Sequence, residues 1–461
     1  MKTMSKRNRA SAALATGVVA ALVLLAAGSA GAQARIDGIE VADGATLTFT
    51  AKAGEVSTPD GGSIHFWGYQ EDTNLGGLPA GALPQYPGPT LIMDQDSTVT
   101  INFKSDLPFA QHSSMIFPGH SVAATGGTCS TASDCLLTQE SADVADVVTY
   151  TFTATEPGTY TYYSGTQTEL QVEMGLVGAI IVRPSGQPYW AYDEAATSFD
   201  HEVLFLLTSM DPIIHQKAEV GDFSPTYITE RWPVYWFING RAGPDDLIAP
   251  FVGWLPHQPY NCTPRMTPGQ KLLVRIVGGD QDQHPLHLHG NHYKEIAHYG
   301  RLLRTASGGL GSRKHFTTLS VPGQTVDAIF EWTGEKMGWD IYGGTDVAMP
   351  HTCNGKDVGV AQDPGAPKYD PVTHEYCADH GKPFPVILPE SQNLAFGGWW
   401  SGSPYLGSDE PLPPGEGGLN PNSGYFFMWH SHTEKELTNY DIFPGGMLSM
   451  MVVEPPGTVI E

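Results

Sequence analysis

The sequence predicts an all-β protein built from two related β-sandwich domains. The 461-residue chain contains 53 glycines and 36 prolines, a composition that suits numerous turns. Its apolar residues form short runs of strand length, and no long segment has helical periodicity. A pair of similar segments also recurs near the end of each half of the chain, which indicates an internal repeat.

Several short runs predict strands because they are rich in β-branched and aromatic residues. Some of them alternate apolar and polar residues, and others are apolar throughout, as two packed sheets require. The runs are STVTINF (97–103), VVTYTFTA (147–154), VGAIIV (177–182), EVLFLLT (202–208), KLLVRIV (271–277) and TVDAIFEW (325–332).

The repeat also predicts where the domains end. Each half closes with two similar segments, GTYTYYSG and GAIIVRP in the first half, and GYFFMWHSH and GGMLSMMVVEPP in the second. We therefore predict an N-terminal domain over residues 35–185 and a C-terminal domain over residues 200–461. The second domain carries a Gly/Pro-rich insertion at about residues 335–422, and loops of this length are usually functional or ordered by their own disulfide.

Residues 1–34 have the order of a secretory signal peptide. Basic residues from Lys2 to Arg9 precede an uncharged run rich in alanine and leucine, and small residues follow up to Ala34. The alternative, an uncleaved membrane anchor, is disfavoured because the strongly apolar part is short for a bilayer span. We expect a periplasmic or secreted protein with no membrane attachment after cleavage.

The charge balance excludes nucleic acid as a partner and favours metal ions. Lysine and arginine number 24 against 49 aspartates and glutamates, a formal net charge of −25. Such a surface repels nucleic acid and attracts cations. The same surface also serves solubility alone.

Five cysteines in an exported chain predict disulfides. The expected pairs are Cys129 with Cys135 and Cys353 with Cys377. Cys262 then remains unpaired. An alternative for the second pair is a metal site, because His374, Cys377 and His380 have the spacing of metal ligands.

Two histidine-x-histidine pairs lie far apart in the chain. DQHPLHLHGNHY contains His287 and His289, and FMWHSHTEKE contains His430 and His432. Residues i and i+2 of a strand share a face, so each pair projects together. If the two strands are neighbours, four imidazoles meet at spacings of about 5 Å. Imidazole binds both copper and zinc, whereas the alternative is an ordinary ladder of exposed or hydrogen-bonded histidines.

These motifs resemble those of the multicopper oxidase family, which is built from cupredoxin domains. HPLHLHG (284–290) matches the family's HPxHxHG signature, and MWHSHTEKELTNYDIFPGGM is similar to its C-terminal HCHxxxHxxxGM segment. Residues 86–108 and 159–182 are similar to the family's N-terminal domain. The resemblance implies two cupredoxin-like Greek-key β-sandwich domains of the two-domain type, copper as cofactor, and by analogy a homotrimer.

The chain departs from the family at the type 1 copper site. The family has a cysteine between the two C-terminal histidines, where this chain has Ser431, and a hydroxyl does not replace a soft thiolate ligand. Glu436 occupies the place of the next histidine. Met447 is the nearest candidate for the axial methionine, and His284 is left without its partners. A blue copper site is therefore not expected.

The first domain lacks the two histidine pairs that the family contributes to its trinuclear copper site. The corresponding positions are Ile116, Pro118, Tyr163 and Gly165. His112 and His120 lie near the first of these motifs and are candidates for extra ligands, although lone histidines of this kind are more often solvated loop residues.

Three hypotheses of function follow. The first is an exported copper-binding protein with a histidine-only site, for which the predicted ligands are His284, His287, His289, His430 and His432. The second is a copper-dependent oxidoreductase that works without type 1 copper, to which Tyr162 and Tyr163 are candidate contributors. The third is a structural or partner-binding module with a vestigial site. The ligands alone do not distinguish copper from zinc, and the sequence identifies neither catalytic residues nor a substrate.

Overall fold

A computed structural model describes most of the chain outside its N-terminus and the insertion. The described residues are 35–73, 83–129, 135, 137–289, 291–333, 352–353, 356–357, 425–454 and 458–460. The predicted signal peptide lies outside them, as do His374, Cys377 and His380. Among the described helices, none has both the length and the apolarity needed to span a membrane.

The first two sheets use strands between residues 39 and 183. Their strands are β1 (Ile39–Val41), β2 (Thr46–Ser57), β3 (Ser63–Glu71), β4 (Leu91–Asp94), β5 (Thr98–Asp106), β6 (Ala123–Gly126), β7 (Val148–Thr153), β8 (Gly158–Tyr163) and β9 (Val177–Arg183). One sheet has the order β1-β4-β9-β8 and the other the order β3-β2-β5-β7-β6. Parallel pairs such as β2–β5 occur beside antiparallel ones such as β5–β7, so consecutive strands are not always neighbours.

The next two sheets use strands between residues 201 and 453. Their strands are β10 (His201–Met210), β11 (Tyr235–Ile238), β12 (Arg265–Met266), β13 (Lys271–Gly278), β14 (His284–Leu288), β15 (Tyr293–His298), β16 (Arg301–Leu302), β17 (Arg313–His315), β18 (Thr317–Ser320), β19 (Thr325–Glu331), β22 (Tyr425–Ser431) and β23 (Leu448–Val453). One sheet runs β11-β10-β13-β19-β15-β16, with β17 paired to β15, and the other runs β12-β23-β22-β14-β18. A separate small hairpin joins β20 (Thr352–Cys353) to β21 (Lys356–Asp357).

Helices are short and lie between strands. They are α1 (Thr168–Gln171), α2 (Pro212–Glu219) and α3 (Pro225–Thr229), with single 3₁₀ turns at Pro108–Ala110, Ala195–Thr197, Asp245–Leu247 and Glu434–Leu437. Helix α2 begins at Pro212 because the preceding Asp211 carboxylate accepts the backbone N–H of Ile213. The predicted all-β class is confirmed, and each of the six predicted runs contains a strand.

Each pair of sheets encloses its own core. In β5, Val99, Ile101 and Phe103 alternate with more exposed residues and pack inside the first pair. In the second pair, Leu286 and Trp429 are fully enclosed. Alternation thus assigns one face of each strand to the core and leaves the other free for polar side chains.

A buried network of charges holds the two pairs of sheets together. Glu202 contacts the guanidinium groups of Arg183 at 2.5 Å and Arg275 at 3.1 Å, and all three side chains are almost fully buried. Thr159 of β8 donates a hydrogen bond to Asp327 of β19, 2.5 Å away. Burial favours the neutral form of Glu202, but the two arginine charges outweigh it and lower the pKa of this carboxyl group.

The described cysteines agree with the predicted pairing. Cys129 and Cys135 form a disulfide, and Cys262 is free and buried, so both predictions are confirmed. The predicted pair of Cys353 with Cys377 lies outside the described residues.

Trp429 provides a test of the second core. Its side chain is fully buried in β22, and replacing it by alanine should lower the free energy of unfolding by about 3–5 kcal/mol. Trp254, which is 64% exposed, is the matched control, and its replacement should change stability by less than about 0.5 kcal/mol. Chemical denaturation measures both, and equal effects would contradict this packing.

Candidate metal centre

Strands β14 and β22 bring the two histidine pairs together. They are antiparallel neighbours, and the register places His287 opposite His430. The backbone N–H of His289 donates to Met428, and that of His432 donates to Pro285, so the pairing extends to both ends of the motifs. Leu286, Leu288 and Trp429 face the core, as the sequence predicts for the residues between the histidines.

The four imidazoles form one cluster, which we call the histidine cluster (His287, His289, His430 and His432). His287 is central, with ring-centre distances of 5.2 Å to His289, 5.6 Å to His430 and 4.7 Å to His432. His289 and His430 are 4% exposed, whereas the His432 side chain is 53% exposed. The cluster therefore has a buried side and a side open to solvent.

In two of the four rings, Nδ1 contacts an oxygen atom. His430 Nδ1–H donates to the carbonyl oxygen of Ser431 at 2.5 Å, so in the neutral ring Nε2 keeps its lone pair. His287 Nδ1 lies 2.7 Å from the hydroxyl oxygen of Thr317, its register partner on β18. When that oxygen accepts, His287 also presents a bare Nε2. Such contacts orient metal-binding histidines.

The cluster environment favours neutral rings. Burial, with smaller contributions from the neighbouring imidazoles, lowers the pKa of His287 to about 4. Burial and the neighbouring imidazoles, His289 first, likewise lower the pKa of His430 to about 4. At neutral pH both rings therefore keep a lone pair that can bind a metal ion.

The rings are close to a coordinating arrangement without having one. His289 Nε2 and His430 Nε2 are 2.6 Å apart, so a proton on His289 is shared with the lone pair of His430. Two ligands about 2.0 Å from one tetrahedral ion are separated by about 3.3 Å. Within the described residues, no group of three or more possible ligands is already arranged to hold a metal ion. Binding would therefore require a small rotation of these rings and a change of tautomer at His289, whose proton would move from Nε2 to Nδ1.

The residues at the family's type 1 copper position also converge. We call this group the type 1 position (His284, Ser431, Glu436 and Met447). The Ser431 hydroxyl donates to Glu436 Oε2 at 2.5 Å, and the same oxygen is 3.0 Å from His284 Nδ1. The backbone N–H of Ser431 donates to the Met447 carbonyl, and that of Met447 donates to Glu436. The predicted correspondence thus agrees with the geometry.

Carboxylates occupy both nitrogens of His284. Nδ1 faces Glu436, and Nε2 lies 3.1 Å from Asp280 Oδ1. Burial alone would lower the pKa of His284, but the Asp280 charge and the hydrogen bonds to both carboxylates raise it to about 10. A doubly protonated imidazolium has no lone pair for a metal ion, so His284 in this state is not a ligand.

The ion pairs continue away from the type 1 position. Asp280 lies 3.6 Å from Arg231, which also contacts the buried Glu173 and the half-exposed Asp282. Burial would raise the pKa of Asp280, but the His284 and Arg231 charges lower it. The type 1 position is therefore filled by a paired ionic network, which does not fit type 1 copper.

Positions of the first domain at which this chain lacks the family's histidines contact one another in the structure. Ile116 and Tyr163 form an isolated antiparallel bridge, and a side chain at Gly165 would meet the Ile116 side chain. His112 lies 3.7 Å from Glu140, and His120 packs against Phe152. Tyr162 is buried and donates to the carbonyl of Pro89, which is a structural contact.

Sequence reasoning missed the residues that support the two sites. Thr317 has no motif of its own, although it stands in a recognisable β-rich run, and only the pairing of β14 with β18 places it behind His287. Asp280 precedes His284 by four residues, but a spacing of four predicts a side-chain contact only within a helix. The contact arises because the loop before β14 folds back on the strand.

Comparisons with known proteins agree with the predicted resemblance. Residues 81–187 match the family model of the multicopper oxidases. The predicted resemblance to this family is thereby confirmed, and the family implies copper. No curated protein matches the chain.

Solved structures support the fold. A blue copper oxidase from Nitrosomonas europaea has a TM-score of 0.50 at 14% identity, covering 88% of this chain and 85% of its own. The multicopper oxidase mgLAC has a TM-score of 0.49 at 14% identity, covering 90% and 87%. A copper nitrite reductase from Nitrosomonas europaea has a TM-score of 0.42 at 15% identity, covering 62% and 84%. The first of these similarities supports a shared cupredoxin-type fold.

The ion pairs of His284 predict a specific pH dependence of stability. Since the folded-state pKa is raised to about 10 from about 6.5 in an unfolded chain, the stabilisation is complete below pH 6.5. It is lost as pH rises towards 10. The lowered pKa of Asp280 adds stability above pH 4 that is lost in acid.

His284→Gln tests this dependence. It should lower the free energy of unfolding by about 3–5 kcal/mol at pH 6, because it leaves the buried Glu436 without a cation and Asp280 with Arg231 alone. Denaturation between pH 6 and 10 should show a smaller alkaline loss for the variant than for the wild type. Equal alkaline slopes would contradict the assigned charge of His284.

Proposed function

We propose that this chain is an exported copper-binding protein whose site is the histidine cluster. The observation that carries the proposal is the convergence of four imidazoles from two distant motifs on one face of a sheet. Two of the rings are held by oxygen atoms at Nδ1, so that Nε2 is the binding atom. The N-terminal signal sequence supports export, and the domain limits at 35–185 and 200–461 are part of the proposal.

Copper is the favoured ion, for two reasons. The multicopper oxidase match implies copper, and neutral imidazoles are suitable ligands for it. After the ring rotation described above the cluster would hold one or two ions, with His289 and His430 on the buried side, His287 half-buried and His432 at the solvent side. Zinc accepts the same ligands, and competition between the two ions decides this point.

Copper binding is favoured over copper-dependent oxidation of a substrate, because this chain has altered the site through which the family's oxidases receive electrons. In the family the type 1 site receives electrons, whereas here Ser431 and His284 belong to an ionic network. The histidine positions expected from the first domain are Ile116, Pro118, Tyr163 and Gly165. We therefore infer sequestration or delivery of copper. A homotrimer, proposed by analogy with two-domain members of the family, would bring other chains close to the site.

Copper titration tests the proposal. The wild-type protein should bind Cu²⁺ through imidazole nitrogens, and His287→Ala combined with His432→Ala should abolish this binding. No intense thiolate-to-copper absorption should appear, because position 431 is serine and burial raises the pKa of the Cys262 thiol. Metal analysis gives the stoichiometry, and electron paramagnetic resonance reports the nitrogen ligands.

The control for this titration is His65→Ala. It removes a histidine paired with Glu55 in the first pair of sheets and should leave copper binding intact. A blue wild-type protein would show that the C-terminal motif is misaligned. A protein that binds no metal would favour the vestigial module. Oxygen consumption with phenolic or metal-ion reductants would favour the oxidoreductase.

Thr317 provides a second, independent test. Thr317→Val keeps the shape of the side chain and removes the hydroxyl that holds His287, so copper affinity should fall about 10- to 100-fold. Thr317→Ser keeps the hydroxyl and should retain most of the affinity. Isothermal titration calorimetry measures both, and equal affinities for wild type and Thr317→Val would show that His287 is not held in this way.

A further inference from the structure

A second group of possible metal ligands lies apart from the histidine cluster. We call it the Glu295 group (Glu295, His298 and His315). Glu295 and His298 belong to β15, and His315 belongs to its neighbour β17. Glu295 is buried, whereas the side chains of His298 and His315 are 31% and 36% exposed. The group thus joins a buried carboxylate to two imidazoles that solvent reaches.

A β-bulge explains how two of these residues share a side of the strand. Residues three apart in a regular strand point to opposite faces. The pairing of β15 with β19 shifts register between Glu295 and Ala297, and the extra residue is Ile296. After the shift, the His298 ring lies beside the carboxylate. His315 lies on the neighbouring strand β17 at the position diagonal to Glu295, and its ring reaches the same carboxylate.

The distances within the group suit a single bound ion. Glu295 Oε2 lies 3.2 Å from His298 Nε2 and 3.5 Å from His315 Nε2. Ligands at about 2.0 Å from one tetrahedral ion are about 3.3 Å apart, so both separations match. His315 Nε2 is buried and has no hydrogen-bond partner among the described residues. This nitrogen therefore faces the carboxylate in an ion pair but makes no hydrogen bond within the described part of the chain.

A contact behind the carboxylate fixes its orientation. The Thr318 hydroxyl donates to Glu295 Oε1, which leaves Oε2 for the imidazoles. Burial would raise the pKa of Glu295, but hydrogen bonds with His298 and Thr318 and the charge of His315 lower it. The side chain is therefore an ionised carboxylate with a second-layer hydrogen bond, as is usual for metal ligands. Arg313 and Lys314 of β17 are exposed and can turn towards solvent.

We propose that Glu295, His298 and His315 bind a divalent transition-metal cation of the zinc and copper class. The ion would be held by one carboxylate oxygen and two imidazole nitrogens, with solvent completing its coordination. Because no group of three ligands among the described residues is already arranged to hold an ion, the half-exposed rings would have to rotate to bind it. This site is separate from the histidine cluster, and the inference does not rest on the proposed function.

Calorimetric titration of the metal-free protein with Zn²⁺ tests this site. Glu295→Gln, an isosteric change, should weaken or remove one class of binding by at least tenfold. His287→Ala combined with His432→Ala should spare that class, because those residues belong to the other site. Replacing Zn²⁺ by Co²⁺ should give visible absorption that Glu295→Gln removes.

Two further variants keep the test decisive. If Glu295→Gln folds poorly, His298→Gln takes its place, because it changes only a partly exposed ring. Loss of Zn²⁺ binding with unchanged thermal unfolding of this variant would confirm His298 as a ligand. The matched control is His112→Gln. It breaks a histidine–glutamate pair in which only one imidazole of the described residues contacts the carboxylate, and it should leave Zn²⁺ binding unchanged. Unchanged Zn²⁺ binding in both Glu295→Gln and His298→Gln would reduce the group to ordinary ion pairs and overturn the proposal.

Discussion

The antiparallel register between β14 and β22 is the constraint on which both halves of the site depend. It places His287 opposite His430 and Leu286 opposite Ser431. Because side chains alternate along a strand, a slip of one residue would put the histidines into the core and the leucines into solvent. The apolar packing of Leu286, Leu288 and Trp429 therefore fixes the face on which the histidine cluster lies.

The type 1 position joins His284 of β14 and Ser431 of β22 to Glu436 and Met447, which follow β22 in the chain. Charge pairing stands here where the family has ligation by a thiolate. A thiolate and two neutral imidazoles hold copper by donating lone pairs. Here two carboxylates, those of Glu436 and Asp280, face the ring nitrogens of His284, and the imidazole carries two protons. A buried cation needs counter-charges, and Asp280 and Glu436 supply them. His284 thus serves as a structural cation, whereas the environment of the histidine cluster lowers the pKa of His287 and His430.

Sequence patterns predicted what depends on local periodicity. The strand runs, the face of each histidine pair and the Cys129–Cys135 disulfide all follow from spacing and composition. Sequence patterns did not predict contacts set by strand order. Strand β18 lies beside β14, although Pro285 and its register partner Leu319 are 34 positions apart in the chain. Thr317 and the bulge at Ile296 could not be found because neither has a sequence signal without its partner strand.

The short passage from β17 to β18 links the two candidate sites physically. His315 contacts Glu295, Phe316 packs against His287, Thr317 holds His287, and Thr318 holds Glu295. Alternation explains why the adjacent Thr317 and Thr318 of β18 face opposite sides, whereas His315 ends β17 and Phe316 lies between the two strands. Phe316 is 55% exposed, an apolar ring beside an imidazole that solvent also reaches. A movement of this backbone segment would therefore displace residues of both candidate sites.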